Sequence, residues 1–302
     1  MAGIQYIKRS DLNIQKWDAC IDAASNGLIY AYSFYLDALC DNWDALVMGD
    51  YEAVMPLPWR KKWGITYVYQ PFLVAQLGAF GKEMTGAVLE QFIVAIPKSF
   101  SYIDYMLNSK NIFLNTTNNS TLRSNYTLKL DKPYTDIYNN YSTNIKRNIK
   151  KAFAKGCGIE KSNRLEDVTK LVQQQGNINA SKRDFRRFET LFNLLYAKDK
   201  AVVYSALSPP YETLSAAVFL IHQNRAYYIL AGNHPLGKNM GTSHALIDAF
   251  IKDYSNQNLV LDFEGSDIKT LALFYRSFGA IEEKYSALKI NRLPWPISWL
   301  KK

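Results

Sequence analysis

Two carboxylates and a phenol lie within a short stretch near the C-terminal end of the sequence. Asp262 and Glu264 close an apolar run, and Tyr275 follows downstream. Strict alternation along a strand would point both carboxylates to one face. There they could orient or deprotonate a substrate group, and the phenol could donate a proton. The alternatives are that the carboxylates bind backbone N–H groups at a strand end and that the phenol ring packs in a core.

The segment after Glu264 is predicted to turn and then to form a helix. Gly265 permits a sharp turn, Ser266 or Asp267 can cap the helix, and Gly279 can end it. The apolar residues of this helix recur at helical spacing on one face: Ile268, Leu271, Ala272, Tyr275 and Phe278. That face would hold the tyrosine ring against a sheet and let its hydroxyl look into a cleft.

A glycine-containing segment from residue 232 to 244 is a second candidate site. We predict a loop that leads into a helix over 242–254. Backbone N–H groups at the start of a helix attract anions, and a lysine in the loop adds a full charge. The candidate phosphate-binding residues are Lys238, Asn239, Gly241, Thr242 and Ser243. A structural turn that binds no ligand is the alternative.

Candidate contacts for a second substrate lie elsewhere in the chain. Residues 59–63 alternate aromatic and basic side chains after a predicted hairpin. They form either a solvated loop or the lip of an acceptor site between two domains, where they would pair with anionic groups and stack on rings. The candidate substrate-binding residues are Trp59, Arg60, Gln76 and Arg276.

The length of the chain and a weak internal repeat predict two domains. A chain of 302 residues exceeds one ordinary core. The order hairpin, helix, strand occurs near 45–107 and again near 214–264, which indicates a duplicated α/β unit. We predict an N-terminal domain over 1–132 and a C-terminal domain over 133–302, the latter opened by a basic helix over 134–155.

The charge of the chain favours anionic partners. The net charge is +9 and the pI is about 9.2, which suits nucleotides, coenzyme phosphates, acidic glycans or RNA. In the predicted helix over 134–155, an apolar stripe of Ile145, Ile149, Ala152 and Phe153 opposes a face of lysine and arginine. That face is either solvated or a docking surface for an anionic partner.

The sequence lacks the patterns that are typical of several classes of chemistry. The three cysteines are widely spaced, and neither they nor the three histidines form a metal-binding pattern, so no metal is expected. A nucleophile elbow and a phosphate-binding P-loop are also missing. No apolar run reaches membrane-spanning length and the N-terminus lacks a signal-peptide core, so we expect a cytoplasmic protein without a membrane span.

Two runs of residues carry a resemblance to a known family. Asp-Phe-Glu-Gly-Ser over 262–266 and Phe-Tyr-Arg-Ser-Phe-Gly-Ala over 274–280 resemble the C-terminal end of the GNAT acyltransferase fold, in particular its tandem-domain FemAB-like branch. The Pro and Gln-x-Gly segment near Gln76 and the basic run near Ser142 are similar to that branch as well. The resemblance implies an α/β fold of two tandem GNAT-like domains, each a mixed, mostly antiparallel sheet flanked by helices.

The resemblance also implies a reaction, in which an acyl group passes from an acyl-CoA such as acetyl-CoA to an amine. Tyr275 would be the acid. Glu264 and Asp262 would orient or deprotonate the acceptor amine, which would belong to a small molecule or a cell-wall precursor. In the GNAT phosphate loop only the central glycine, Gly241, matches strictly, since Lys238 replaces Arg or Gln. Several FemAB-like peptidyltransferases have Lys at the position of Tyr275, so a tyrosine there favours a thioester donor.

Two other functions stay open at this stage. One is an aminoacyl-tRNA-dependent transferase acting on cell-wall precursors, for which tRNA would be a partner. The other is a tandem domain without catalytic activity that binds an anionic ligand or a protein. DNA is not an expected partner.

Overall fold

The computed structural model describes residues 3–113, 120–176, 180–208, 212–265, 267–295 and 298. By internal contacts the chain divides into two compact units, Met1–Arg123 with Lys284–Lys302 and Ser124–Glu283. The end of the chain therefore belongs with the first unit, whereas the sequence pattern assigned it to the C-terminal domain. The domain boundary between residues 132 and 133 stays a prediction.

Both units contain strands and helices. The strands are β1 Ile4–Lys8, β2 Asn42–Met48, β3 Ala53–Lys62, β4 Ile65–Val68, β5 Phe80–Gly81, β6 Phe100–Met106, β7 Ser120–Lys129, β8 Gly158–Ser162, β9 Ala201–Ser208, β10 Glu212–His222, β11 Arg225–Asn233, β12 Val260–Asp262 and β13 Ile281–Asn291. The helices are α1 Ile14–Ala23, α2 Ser33–Leu39, α3 Gly86–Ala95, α4 Tyr134–Asn139, α5 Thr143–Ala154, α6 Leu165–Gln175, α7 Lys182–Tyr196, α8 Pro235–Met240, α9 Thr242–Tyr254 and α10 Lys269–Arg276.

The first unit is a mixed sheet in the order β1-β2-β3-β4-β6-β13, with β5 beside β3. Only β4 and β6 run parallel among these described pairs. Asn13 caps α1 by accepting the Lys16 N–H, and Trp17 on that helix is fully buried. Burial of such aromatic side chains provides much of the stability of this unit.

The second unit is a mixed sheet in the order β7-β12-β11-β10-β9-β8. Its described pairs are antiparallel except for β11 and β12, which are parallel. Phe219 on β10 and Phe250 on α9 stack at 3.8 Å between ring centroids in the middle of the core. Both units are therefore mixed, mostly antiparallel sheets flanked by helices, which confirms the predicted fold class.

The basic segment over 134–155 forms two helices, whereas the sequence pattern predicts one. Ser142 accepts the Ile145 N–H at 3.3 Å and so starts α5 anew after α4 has ended. The predicted apolar stripe is buried at Ile145, Ile149 and Ala152. Phe153 departs from it, because its side chain is 48% exposed.

The predicted aromatic and basic loop over 59–63 belongs mostly to strand β3. Trp59 lies opposite Val68 and Lys62 opposite Ile65, so pairing with β4 keeps these residues extended. Only Trp63 and Gly64 form the turn, with φ values of 51° and 80°. Positive φ at both central residues is the geometry of a tight hairpin turn. Among the helices of the described residues, none has the length and apolar character to cross a membrane.

Candidate functional site

An opening in the sheet of the second unit begins where β12 parts from β11. The parallel pairing covers only residues 225–227 of β11 and 260–262 of β12. The Phe263 N–H then donates to Tyr126 O at 3.0 Å, so the chain continues along β7 while β11 runs on beside β10. Openings at the carboxyl ends of parallel strands are common ligand sites in α/β sheets.

Asp262, the last residue of β12, anchors the turn that follows it. Its side chain is buried and accepts hydrogen bonds from Arg225 Nη1 at 2.5 Å and from the Glu264 N–H at 2.9 Å. Burial, the largest single effect, lowers the pKa of the Arg225 guanidinium, but the charge and hydrogen bond of Asp262 together with the nearby Tyr227 and Glu283 raise it, and the net shift is upward. Both carboxylate oxygens are therefore engaged within the protein.

Glu264 takes a left-handed backbone conformation with φ of 65°. Because the strand ends at Asp262, alternation stops there, and the prediction that Asp262 and Glu264 share one strand face is wrong. A residue other than glycine in this conformation costs about 1 kcal/mol or more, and such strain clusters at functional sites. The Glu264 carboxylate acts electrostatically on Tyr275.

Tyr275 lies on α10 with its ring packed against the sheet, as the helical spacing predicts. The ring stacks on Phe263 at 4.6 Å between centroids and lies 6.1 Å from the Tyr126 ring. Burial, and then the charge of Glu264, raise the pKa of Tyr275 to about 12. The phenol therefore keeps its proton at neutral pH and can act as a hydrogen-bond donor.

The start of α10 differs from the predicted one. Its N-terminal capping residue is Ile268, which provides no side-chain cap, and Asp267 instead accepts the Ser124 N–H at 3.3 Å. Ser266, the other predicted cap, lies outside the described residues. Ile268 and Leu271 are 60% and 40% exposed, because the first turn of this eight-residue helix extends beyond the core. Only the later part of the predicted apolar face is buried.

Arg276, a predicted substrate contact, is held by the protein itself. Its Nη2 donates to Glu282 Oε2 at 2.5 Å, and its guanidinium lies 5.4 Å from the centroid of the Tyr126 ring. The other oxygen of Glu282 accepts from Ser124 Oγ at 2.6 Å. These contacts tie α10 to β7 and fix the position of the helix that carries Tyr275.

The segment predicted as a glycine-rich loop is instead the short helix α8 followed by α9. His234 Nδ1 accepts the Leu236 N–H to start α8, and Gly241, with φ of 82°, joins the two helices. A Cβ on Gly237 would lie 2.5 Å from Leu214 O, and one on Gly241 would lie 2.7 Å from Asn148 O. These glycines therefore permit close packing, and the expected open loop of backbone N–H groups is not formed.

The five predicted phosphate-binding residues differ in their exposure to solvent. Gly241 and Thr242 are buried, and Thr242 Oγ1 shares a 2.5 Å hydrogen bond with Ser215 Oγ. Lys238 and Asn239 are exposed and Ser243 is half-buried. Helix α9 begins without a side-chain cap. Of the five predicted residues, Lys238, Asn239 and Ser243 are therefore the ones accessible to a ligand.

The predicted contacts in the first unit are also engaged internally. Trp59 Nε1 donates to Asp44 at 2.8 Å, and Gln76 Oε1 accepts the Ser109 N–H at 3.1 Å. Arg60 forms an ion pair with Asp41, and its guanidinium lies over the Tyr69 ring, 4.0 Å from the ring centroid. All three have structural roles in this unit.

A cavity of about 510 Å³ lies in the first unit. Four aromatic rings and one carboxylate contribute to its wall: Trp63, Tyr67, Tyr69, Tyr102 and Asp104. Aromatic walls with a few polar groups are typical of small-molecule sites. In the described part of the chain, no group of three or more His, Cys, Asp or Glu residues is arranged to hold a metal ion.

Three further residues of the second unit were missed by the sequence analysis. Asn125 is completely buried, Arg225 pairs with Asp262, and Glu283 acts electrostatically on Arg225. Each stands on a different strand, and no spacing pattern joins them. A single cation at the start of the apolar run of β11 was the only sequence signal for Arg225.

Comparison with known proteins finds no matching protein-family model and no matching curated protein. Solved structures do match. The structure of FemX is 12% identical, covers 98% of this chain and 99% of its own, and has a TM-score of 0.63. L-PGS from Bacillus licheniformis is 11% identical over 95% of this chain and 94% of its own, with a TM-score of 0.55.

A third similar structure is a tandem GNAT protein from the clavulanic acid biosynthesis pathway. It is 11% identical, covers 96% of this chain and 99% of its own, and has a TM-score of 0.53. At such identities the likeness concerns the fold. The chain has a tandem GNAT/FemAB-like fold, as its sequence predicts.

Proposed function

We propose that this protein is an acyltransferase that transfers an acyl group from an acyl-CoA thioester to an amine. The observation that carries the proposal is the position of the Tyr275 ring, which stacks on Phe263 in the turn where β12 parts from β11 and whose phenol is acted on by the charge of Glu264. A carboxylate and a protonated phenol are the two groups that aminolysis of a thioester needs. The likeness to a tandem GNAT protein supports this reaction class.

The accessible residues at the start of α9 would hold the donor. Lys238, Asn239 and Ser243 would contact its phosphates, while Gly241 and Thr242 would shape the turn between the helices. Acyl-CoA, when bound, would supply an activated acyl carbonyl. Glu264 would accept a proton from the attacking amine. With a pKa of about 12, Tyr275 would stabilise the departing sulfur mainly by hydrogen bonding.

The aromatic cavity of the first unit is a separate candidate binding site. Its rings offer flat faces, and Asp104 and Gln70 contribute polar groups to its wall. The polar groups of Trp59, Arg60 and Gln76 are engaged within the unit, so we do not propose them as ligand contacts.

Calorimetric titration with acetyl-CoA tests the donor site. We expect saturable binding that is weakened in Lys238→Ala and unchanged in Lys170→Ala, an exposed lysine on α6 that serves as the matched control. A screen of amine acceptors would follow, with release of free thiol as the readout. Binding that is equal in both variants would refute the proposed phosphate site.

An aminoacyl-tRNA donor is the second candidate, and the surface of α5 favours it. Lys150, Lys151 and Lys155 are exposed, and within the described residues none of them forms an ion pair. Charged tRNA should then bind with an affinity that falls steeply with salt, and K150A/K151A should reduce that slope. If neither acyl-CoA nor charged tRNA binds, the protein is a binding module without transferase activity.

A further inference from the structure

Two tryptophan side chains of the first unit project into solvent. Trp63 is 88% exposed and Trp295 is 86% exposed, and no other large apolar side chain of the described residues is as exposed. An indole in water adds little to the stability of the fold, although it is among the largest apolar side chains. Both rings are therefore accessible to a partner.

The turn between β3 and β4 carries Trp63 at an edge of the sheet. Thr66 on β4 pairs in parallel with Phe100, the first residue of β6. Because both strands run the same way, the turn before β4 and the turn before β6 lie side by side at this edge. Trp63 and Gly64 have positive φ values, which favour asparagine and glycine. Tryptophan is unfavourable in that conformation, which indicates another role for its side chain.

Trp295 reaches the same edge from the C-terminal end of β13. The Arg292 N–H donates to Ser101 O at 2.8 Å, which extends the pairing of β13 with β6 toward the turn before β6. Arg292 Nη1 donates to Pro97 O in that turn at 3.1 Å. Trp295 follows three residues later in the chain. The two exposed rings therefore belong to one edge of the first unit's sheet.

Lysine side chains accompany the two tryptophans. Lys61 and Lys62 end β3 directly before Trp63, and Lys98 lies in the turn before β6. All three lysines are exposed, and no ion pair involves them within the described part of the chain. We call Lys61, Lys62, Trp63, Lys98 and Trp295 the tryptophan edge.

The acidic residues of the first unit do not offset the charge of the tryptophan edge. Asp37 and Asp41 form ion pairs with arginines. Asp104 lies four residues beyond the first residue of β6, and Asp44 lies opposite residue 57, so both are about 13 Å or more from the edge. Glu90 lies beside the start of β1, toward the opposite edge. The tryptophan edge is therefore positively charged and complements an anionic surface.

The combination of indole and lysine side chains selects a lipid surface. Tryptophan concentrates at the boundary between lipid headgroups and acyl chains, and lysine is attracted to anionic headgroups. A small anion would need the lysines alone and would leave the rings in water. Ile65 and Leu293 line the aromatic cavity together with Trp63, so the apolar surface continues inward from this ring. That continuation suits acyl chains better than the ribose and phosphate groups of an RNA.

We propose that the tryptophan edge docks on an anionic lipid surface. Trp63 and Trp295 insert at the level of the headgroups, and the three lysines pair with lipid phosphates. Two weak signals, apolar insertion and basic charge, together give stable attachment where one alone does not. The docking does not depend on the acyltransferase function proposed above, because all its residues belong to the first unit.

Sedimentation of the full-length protein with lipid vesicles tests the proposal. We expect binding to vesicles of phosphatidylcholine mixed with phosphatidylglycerol and little binding to phosphatidylcholine alone. W63A/W295A should weaken binding about tenfold or more, because two rings no longer insert. Ile281→Ala, which changes a 70% exposed side chain at the other end of β13, is the matched control and should bind as the wild type does.

A second pair of variants tests the charge of the tryptophan edge. K61Q/K62Q/K98Q should also weaken binding to the anionic vesicles about tenfold or more. K170Q/K182Q/K198Q changes three exposed lysines of the second unit and lowers the net charge equally, and it should leave binding unchanged. All these side chains are exposed, so the thermal midpoints should stay near the wild-type value.

Lipids that are brominated in their acyl chains distinguish insertion from adsorption to the charged surface, and they need no variant of the wild-type protein. They should quench the tryptophan fluorescence of the wild type and quench W63A/W295A far less. No binding to anionic vesicles, binding without quenching, or equal binding by W63A/W295A would each overturn the proposal. Binding of tRNA in place of vesicles, or self-association, that W63A/W295A abolishes would overturn it in favour of an RNA or a second copy of the chain.

Discussion

The rings of Phe263 and Tyr275 stack with their centroids 4.6 Å apart and their planes 23° apart. One residue belongs to the turn after β12 and the other to α10, so the stack joins the two elements that carry the candidate site. It fixes the phenol in position without using its hydroxyl. The ring and the hydroxyl of Tyr275 can therefore be tested separately.

Tyr275→Phe should keep the stack and remove the proton donor. We expect the thermal midpoint and acyl-CoA binding to stay near their wild-type values, while turnover falls about a hundredfold, the usual contribution of a positioned acid. Thiol release under saturating donor and amine measures this effect. Tyr275→Leu, which also removes the stack, is the comparison and should lower stability as well. Wild-type turnover by the phenylalanine variant would exclude the acid role.

Asp262→Ala should destabilise the second unit by leaving the half-buried Arg225 without its hydrogen-bonded counter-charge. Loss of one partner from a buried ion pair lowers the free energy of unfolding by about 3 kcal/mol or more. Urea denaturation monitored by tryptophan fluorescence measures this change. Replacement of both residues, as in D262L/R225L, should recover much of the loss. A double variant as unstable as D262A would show that the ion pair is not the cause.

Gly241→Ala should be more harmful than an alanine at another left-handed glycine. At Gly241 the added Cβ meets Asn148 O at 2.7 Å in addition to the strain of a φ of 82°. Gly176, with a φ of 63°, has nothing within 4 Å of the added atom and is the matched control. We expect a loss of about 1 kcal/mol for Gly176→Ala from conformation alone, and about 1–3 kcal/mol more for Gly241→Ala from the clash. Equal losses would contradict the close packing.

His244 should make the protein less stable in mild acid. Burial lowers the pKa of His244 to about 4, and the backbone hydrogen bond with Gly241 offsets this only in part. The unfolded chain, with an ordinary histidine pKa of about 6.5, then binds the proton more readily than the folded one. This contribution to stability is complete above about pH 6.5 and is lost as the pH falls toward about 4.

The measurement for His244 is the thermal midpoint between pH 7 and pH 4. The decline should be smaller in His244→Gln, which cannot titrate. Lys and Arg residues keep their charge across this range, so they contribute little to the difference. A decline of the same size in both proteins would assign the acid sensitivity to carboxylates instead.

Helical periodicity gave correct predictions for two features of the second unit. Helix α9 spans Thr242–Tyr254, as predicted, because its apolar residues recur at helical spacing behind Gly241. The same reasoning placed the Tyr275 ring against the sheet. Resemblance of two short runs to the GNAT fold added the architecture, which the similar solved structures confirm.

Other features could not be read from the sequence because they depend on distant contacts or on single dihedral angles. Alternation predicted one face for Asp262 and Glu264, yet one left-handed residue ends the pattern. Gly237 and Gly241 have no Cβ, so the backbone can pack closely against Leu214 and Asn148. No local sequence pattern reveals this packing. The ion pair of Arg225 with Asp262 joins two different strands and appears only in the folded sheet.

The last strand, β13, ends by pairing with β6 of the first unit, where residue 288 lies opposite residue 105 and residue 290 opposite residue 103. On the ribosome, the first unit therefore emerges long before the strand that covers the edge of β6. This unit can be completed only after the whole second unit has been translated. A premature stop near the end of the message would thus impair the part of the protein that was made first.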